Sequence, residues 1–320
     1  MEKYLILLYY CYTKIENPEE FREQHHLYCI EHNLRGRIII SPEGINGTIS
    51  GLKADCEKYM EDMKADPRFA KTDFKVEEYD KHAFEKIHVR TKEEIVNSGL
   101  TDIDPNELTG THLEPEEFRT MKDDEDVILL DVRSNYEHKI GKFKNALTLD
   151  IENFRDFPEK VNELESIKDK KIITYCTGGI KCEKASAYLL KKGFKNVYQL
   201  HGGIIKYGIE AGGEDFEGKC YVFDNRIATE INKINPEVIS ECFVCGTRCD
   251  RMVNCANPEC NNHVPLCENC AEELEGACSD TCKHHPRKRP YNGKGYYPKD
   301  TNGYNPYIGL KRKSANELDT

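Results

Sequence analysis

Residues 172–182, Ile-Ile-Thr-Tyr-Cys-Thr-Gly-Gly-Ile-Lys-Cys, place Cys176 between an apolar β-type run and a short glycine-rich loop that leads into a helical pattern over 183–192. A strand–loop–helix turn of this kind aims successive backbone N–H groups, and the positive end of the helix, at the thiol. A thiolate held there is stabilised, its pKa falls, and it becomes a nucleophile. Thr177, Gly178 and Gly179 shape the loop, and Lys181 adds a positive charge. Cys182 reads either as a resolving thiol for Cys176 or as a small buried residue at the helix start.

A second constellation holds nine of the fifteen cysteines, all within 242–282. With Cys249 set aside they form four close pairs: Cys242 with Cys245, Cys255 with Cys260, Cys267 with Cys270, and Cys278 with Cys282. Such a pair can put both sulfurs on one metal ion, and two pairs complete a tetrahedral zinc site. A crossed pairing joins Cys242, Cys245, Cys267 and Cys270 on one ion and Cys255, Cys260, Cys278 and Cys282 on the other. Four thiolates leave no open coordination position, so two structural zinc ions are expected. Cys249 or His263 could substitute, and an iron–sulfur cluster remains the alternative.

The net charge of −11 argues against a polyanionic partner only if it is uniform. From residue 283 to 313 there are nine Lys or Arg against the single acid Asp300, with Tyr291, Tyr296, Tyr297, Tyr304 and Tyr307 interleaved. Cations grip phosphate while rings stack on bases, so Arg287, Lys288 and Arg289 are candidate RNA contacts. The bland alternative is a solvated basic tail. Arg226, in the run 222–226, fits either a substrate groove or an Asp–Arg clamp within a loop.

Elements must bring these groups to a surface. Residues 4–12, 36–41, 44–50 and 73–78 read as strands, and 18–32 and 53–66 as helices. The order βαββαβ predicts a ferredoxin-like α+β domain over 1–98. His25 and His26, on the first helix, read as surface residues, and Asn46 as a turn-stabilising one. A linker is expected over 99–119. Strands at 127–131, 146–149, 172–175 and 197–200 alternate with helices at 115–121 and from 183, which predicts a parallel-sheet α/β domain over 120–217. Its site lies at the carboxyl ends of the strands, where Asp131 and Cys176 both fall. A connector over 218–240, a cysteine-rich module over 241–285 and a basic tail over 286–320 complete a multidomain α/β chain. With 32% charged residues, no long apolar run and clustered cysteines, it reads as a reduced, cytoplasmic protein without a membrane span. Neither a dinucleotide fingerprint nor a His-carboxylate iron triad stands out, so no flavin, NAD or non-haem iron site is evident.

The segments VILLDVRSNYEHKIGK, YCTGGIKCEKA and YQLHGGIIKY, in this order, resemble a rhodanese domain. That resemblance implies a persulfide-forming nucleophile at Cys176, with Asp131 and Arg133 as an ion pair anchoring the loop. Many rhodaneses carry Arg in the loop and Ser or Thr at its end, whereas Thr177, Lys181 and Cys182 stand here. The alternative for Cys176 is a structural cysteine in an inactive rhodanese fold. Adding SPEGINGTISG, YVFDNR and CFVCGTRCDRMVNCANPEC, nearly the whole chain resembles the rhodanese-related bacterial tRNA uridine hydroxylases. What this implies is oxygen-dependent formation of 5-hydroxyuridine in the anticodon region of tRNA, with Cys176 essential. The rival reading is a sulfurtransferase that delivers persulfide sulfur to tRNA or a protein. A third is an RNA-binding adaptor without turnover.

Overall fold

A computed structural model describes residues 3–295 and 297, and the chain divides into two units, Met1–Pro236 and Glu237–Thr320.

The first unit opens with β1 (Tyr4–Tyr12), α1 (Pro18–Glu31), β2 (Arg35–Ser41), β3 (Gly44–Leu52), α2 (Lys53–Ala65), β4 (Lys75–Tyr79) and β5 (Ile87–Thr91). Asn17 caps α1, accepting from the Glu20 amide at 3.5 Å, and Pro18 and two glutamates occupy the first turn, where proline and negative charge are tolerated best. The strands form one sheet in the order β4-β1-β3-β2-β5. Its first four strands are the antiparallel ferredoxin-like arrangement, and β5 is a further edge strand, parallel to β2, that the sequence reading left unassigned. Leu5, Leu7 and Tyr9 of β1 join Ile38, Ile40, Ile45 and Ile49 in a core beneath the helices. Each such aliphatic residue contributes roughly 1.5–3 kcal/mol by leaving water. His25, expected at the surface, is part of this packing: it is buried, with Nε2 2.8 Å from the Tyr59 hydroxyl.

The same unit continues with β6 (Thr111–Leu113), α3 (Pro115–Met121), β7 (Val127–Asp131), α4 (Asn135–His138), β8 (Gly141–Phe143), β9 (Leu147–Thr148), α5 (Phe157–Lys160), β10 (Lys171–Tyr175), α6 (Ile180–Lys191), β11 (Asn196–Leu200), α7 (Gly203–Glu210), β12 (Phe216–Tyr221) and β13 (Ala228–Glu230). A parallel sheet runs β6-β11-β10-β7-β9. Its first strand lies inside the stretch read as a linker, so the α/β domain begins before residue 120. The expected connector likewise carries structure: β12 pairs with β8 and β13.

In the second unit a hairpin of β14 (Met252–Asn254) and β15 (His263–Pro265) is followed by two short helices, α8 (Glu268–Glu273) and α9 (Asp280–Lys283). Among the described residues no helix is long and apolar enough to cross a membrane.

Candidate active site

β10 ends at Tyr175, and the next residue is Cys176, 1% exposed. Gly179 caps α6 with φ at 99°, a left-handed turn that a side chain would strain. This starts the helix at Ile180, three residues earlier than the sequence suggested, so Lys181 and Cys182 belong to its first turn and not to the loop. The turn brings N–H groups onto the sulfur: the Gly179 amide donates to Cys176 Sγ at 3.2 Å. The amides of Ile204 and Ile205, at the start of α7, hold the carbonyls of Cys176 and Thr177 at 3.0 and 3.1 Å. Gly203 is required at that junction, since a Cβ there would stand 2.5 Å from the Cys176 oxygen.

Buried thiols elsewhere in the unit, those of Cys29, Cys56 and Cys220, are pushed up to about 12 by desolvation. Burial works on Cys176 in the same direction, but the Cys182 side chain, the Lys181 ammonium and the Lys181 and Cys182 amides outweigh it. The group comes down to about 7. Cys182 shifts the opposite way, raised by burial and by Cys176. The opposite shifts make Cys176 the thiol of the pair that ionises first. Lys181 is itself fixed, its Nζ 2.5 Å from the fully buried Glu137, which also accepts from Thr177 Oγ1 at 3.5 Å.

Asp131 and Arg133 form a fully buried pair at 2.6 Å. The guanidinium continues to the Gly141 carbonyl at 2.7 Å, and the Val132 amide donates to the Tyr175 carbonyl at 3.2 Å. The pair therefore ties β7 to β8 beside the strand that leads into Cys176.

Sequence reasoning missed the cover over this loop. Alternate residues of β1 face away from the ferredoxin-like core: Leu8 packs against the α/β core, and a Cβ on Gly178 would meet its side chain at 2.9 Å. Tyr10 donates to Glu183 of α6 at 2.8 Å, and Lys75, opposite Leu8 in β4, lies 4.9 Å from the Tyr10 ring. Lys184, next in α6, is fully buried between Glu43 and Glu94 at 2.8 and 3.0 Å. The Tyr12 hydroxyl, on the same face, is buried without a hydrogen-bond partner. One signal was available: β1 reads YLILLYYCY, apolar on both faces, as a strand covered on both sides must be.

The arginines expected to contact RNA are spread differently. Arg226 is 11% exposed and clamped by Asp224 at 2.7 Å and Glu77 at 3.0 Å, so the loop-clamp alternative describes it and the groove reading is corrected. Arg289 is also corrected: it is 1% exposed, with its guanidinium bonded to the carbonyls of Cys255 and Ala256 and to Asn261. Arg287 pairs with Glu259 at 2.6 Å, and Lys288 with Glu275. Most of the expected tail, residues 298–320 with Tyr304 and Tyr307, lies outside the described residues, as does Tyr296.

In the second unit Cys242, Cys245, Cys267 and Cys270 gather with their sulfurs within 4.8 Å of one another, and so do Cys255, Cys260, Cys278 and Cys282. Each quartet could hold a metal ion. Amide donors reach into both, from Cys267 to the Cys242 sulfur and from Cys278 to the Cys255 sulfur, each at 3.4 Å, as thiolate ligands require. Cys249 stands outside both quartets.

Residues 4–95 match the UPF0176 acylphosphatase like domain, 114–210 the rhodanese-like domain and 217–283 the rhodanese C-terminal family. A solved rhodanese-like domain from Anabaena matches at 20% identity, with a TM-score of 0.29, over 40% of this chain and 86% of its own. A tRNA uridine(34) hydroxylase from Staphylococcus epidermidis is 50% identical over 74% of this chain and 76% of its own length. The enzyme of that name from Cytophaga hutchinsonii is 64% identical, spanning 98% of this chain and all of its own. The chain belongs to the tRNA uridine(34) hydroxylase family.

Proposed function

We propose that this chain hydroxylates uridine 34 of tRNA, the wobble base of the anticodon, at C5, with Cys176 as nucleophile and dioxygen as co-substrate. The observation that carries the reading is the 64% identity to a tRNA uridine(34) hydroxylase along 98% of the chain. The chemistry of the loop supports it, because a thiol brought down to about 7 is substantially ionised at neutral pH.

The thiolate adds to C6 of the uracil and leaves an electron-rich enolate at C5. C5 then bonds to oxygen. With a peroxide the balance closes directly: the O–O bond breaks, hydroxide leaves, and loss of the C5 proton expels the thiolate. With dioxygen a reductant must supply two further electrons. The Cys182 side chain and the charge of Lys181 both favour the thiolate that would leave at the end of the cycle. Because Cys176 is 1% exposed, in a loop whose Gly178 and Gly179 lie under Leu8 and Tyr10, the base would gain access when this cover parts from the loop.

Zinc is the metal that best suits each thiolate quartet, and four sulfurs per ion make both sites structural. A cytoplasmic location follows from a tRNA substrate and reduced thiols.

A second reading is favoured by one feature, the interaction of the Cys182 and Cys176 side chains. A persulfide on Cys176 would release its terminal sulfur as hydrosulfide to an activated acceptor when Cys182 attacks the inner sulfur, leaving a Cys176–Cys182 disulfide that an external thiol must reduce. Nucleoside mass spectrometry on treated tRNA separates the two. A gain of one oxygen at position 34 that disappears in Cys176→Ser supports hydroxylation, whereas exchange of oxygen for sulfur rejects it.

A further inference from the structure

The face of the ferredoxin-like sheet that covers the catalytic loop extends further than the cover. Register places Thr48 of β3 beside Leu8, Arg37 of β2 beside Thr48, and His88 of β5 beside Arg37. Arg90 follows two residues on from His88, and all these side chains share the face of Leu8, since the intervening Val89 and Ile38 are buried in the core on the other side. Arg37, Arg90 and Lys86 are exposed, and His88 is half-buried. Burial and then the charges of Lys86, Arg90, Arg37 and His26 hold His88 below its usual value, which marks a concentration of positive charge. In a chain of net charge −11 this is a local reversal of sign.

An aromatic ring stands at the inner end of this strip. Phe223 is 44% exposed, although it lies between buried neighbours, Val222 and Asp224. It packs edge-on against Tyr221 at 5.2 Å, which packs on Tyr136 at 5.0 Å, and its carbonyl accepts from Arg37 Nη1 at 3.3 Å. The Arg226 clamp and the bond from the Asn225 amide to the Ala83 carbonyl at 3.0 Å fix the segment. On its other side the Lys181 ammonium, whose charge also favours the Cys176 thiolate, lies 5.9 Å from the ring. The nearby carboxylates are engaged: Glu77 and Asp224 hold Arg226, Glu137 holds Lys181, and Glu85 accepts from Asn225. A rigid exposed ring between cations is the arrangement that binds unpaired nucleotides, with bases stacking and phosphates paired.

We propose that the anticodon loop docks on this strip, with one base stacked on Phe223 and the flanking phosphates held by Arg37 and Arg90. The proposal rests on the tRNA reading above and adds the surface that presents the nucleotide to the loop. The extra strand β5 widens the sheet beyond its cover and thereby builds the strip.

The test is fluorescence anisotropy with a labelled anticodon stem-loop RNA and the full chain, over about 50–200 mM salt. Arg37→Ala with Arg90→Ala is expected to weaken binding about tenfold or more and to lower the salt slope by about 1.4, two single-strand phosphate contacts. Phe223→Ala is expected to weaken binding at least about fivefold with the slope unchanged, and Phe223→Trp to restore it. Unchanged affinity and slope in the double arginine variant overturn the proposal, and so does equal loss in Phe223→Ala and Phe223→Trp. All positions are exposed, and an unchanged melting curve verifies folding. Cys176→Ser, run in parallel, keeps the affinity and loses the product. Product retained there rejects the catalytic reading and leaves the docking result standing.

Discussion

In Met1–Pro236 a single sulfur, that of Cys176, receives backbone N–H donors beside a lysine, while in Glu237–Thr320 eight sulfurs gather in two quartets. Both settings use amide-to-sulfur bonds, at 3.2 Å on Cys176 and 3.4 Å on Cys242 and Cys255. Amide donors alone therefore do not define a nucleophile. What differs is the company of the sulfur. Three further thiols within 4.8 Å would engage a thiolate as a metal ligand, whereas one ammonium and one thiol of raised pKa would leave it free to attack carbon.

The comparison breaks most severely at the quartets. Stripping metal with a strong chelator, or Cys270→Ser, should unfold the second unit, because structural zinc supplies about 10–16 kcal/mol in small domains. Metal analysis should find two zinc ions per chain before treatment, and near-ultraviolet circular dichroism should follow their loss. A metal-free chain with an unchanged spectrum would remove the distinction between ligand and nucleophile.

Cys176→Ser comes next. Loss of a covalent nucleophile costs on the order of 10⁴–10⁶ in rate, so 5-hydroxyuridine should fall below detection while the melting curve stays close to wild type. Asp131→Asn then tests the frame that holds the strand. Removing one charge of a fully buried pair costs about 3–5 kcal/mol, since the Arg133 guanidinium loses its counter-ion, and chemical denaturation should register it.

The strand leading to Cys176 and its neighbour were plain in the sequence because Val127–Asp131 and Lys171–Tyr175 are apolar runs of the length and type that buried parallel strands require. The quartets were legible from spacing. What escaped had identifiable causes. Thr111–Leu113 is three residues long, too short for any periodicity. Ile87–Thr91 alternates well but sits at an edge where charged residues dilute the pattern. Arg289 looked like a surface cation and is instead a buried donor to carbonyls of the cysteine-rich backbone, a role that composition cannot reveal. The cover over Cys176 depends on which domain packs on which, and only the two-sided apolar character of β1 hinted at it.

Lys181→Met sharpens the comparison at finer scale. The thiol at about 7 is protonated below that pH and ionised above it, so the hydroxylation rate should climb as pH rises through about 7 and then level off. Lys181 favours the charged form, so its removal raises the thiol and moves the rising limb to higher pH. A limb that stays in place would show that the amides and Cys182 suffice without the lysine.

The smallest effect concerns the domain that closes the site. Tyr10→Phe deletes one donor to Glu183, but the carboxylate keeps His112 at 2.9 Å, Thr109 at 2.8 Å and Gln199 at 3.1 Å. A carboxylate that retains three partners is not orphaned, so the expected loss of stability is only about 0.5–1.5 kcal/mol. The larger consequence should be kinetic: with one bond fewer between the cover and α6, alkylation of Cys176 by iodoacetamide should accelerate at fixed pH, with no movement of its titration. An unchanged alkylation rate would mean that Leu8 packing, not the Tyr10 bond, holds the cover closed.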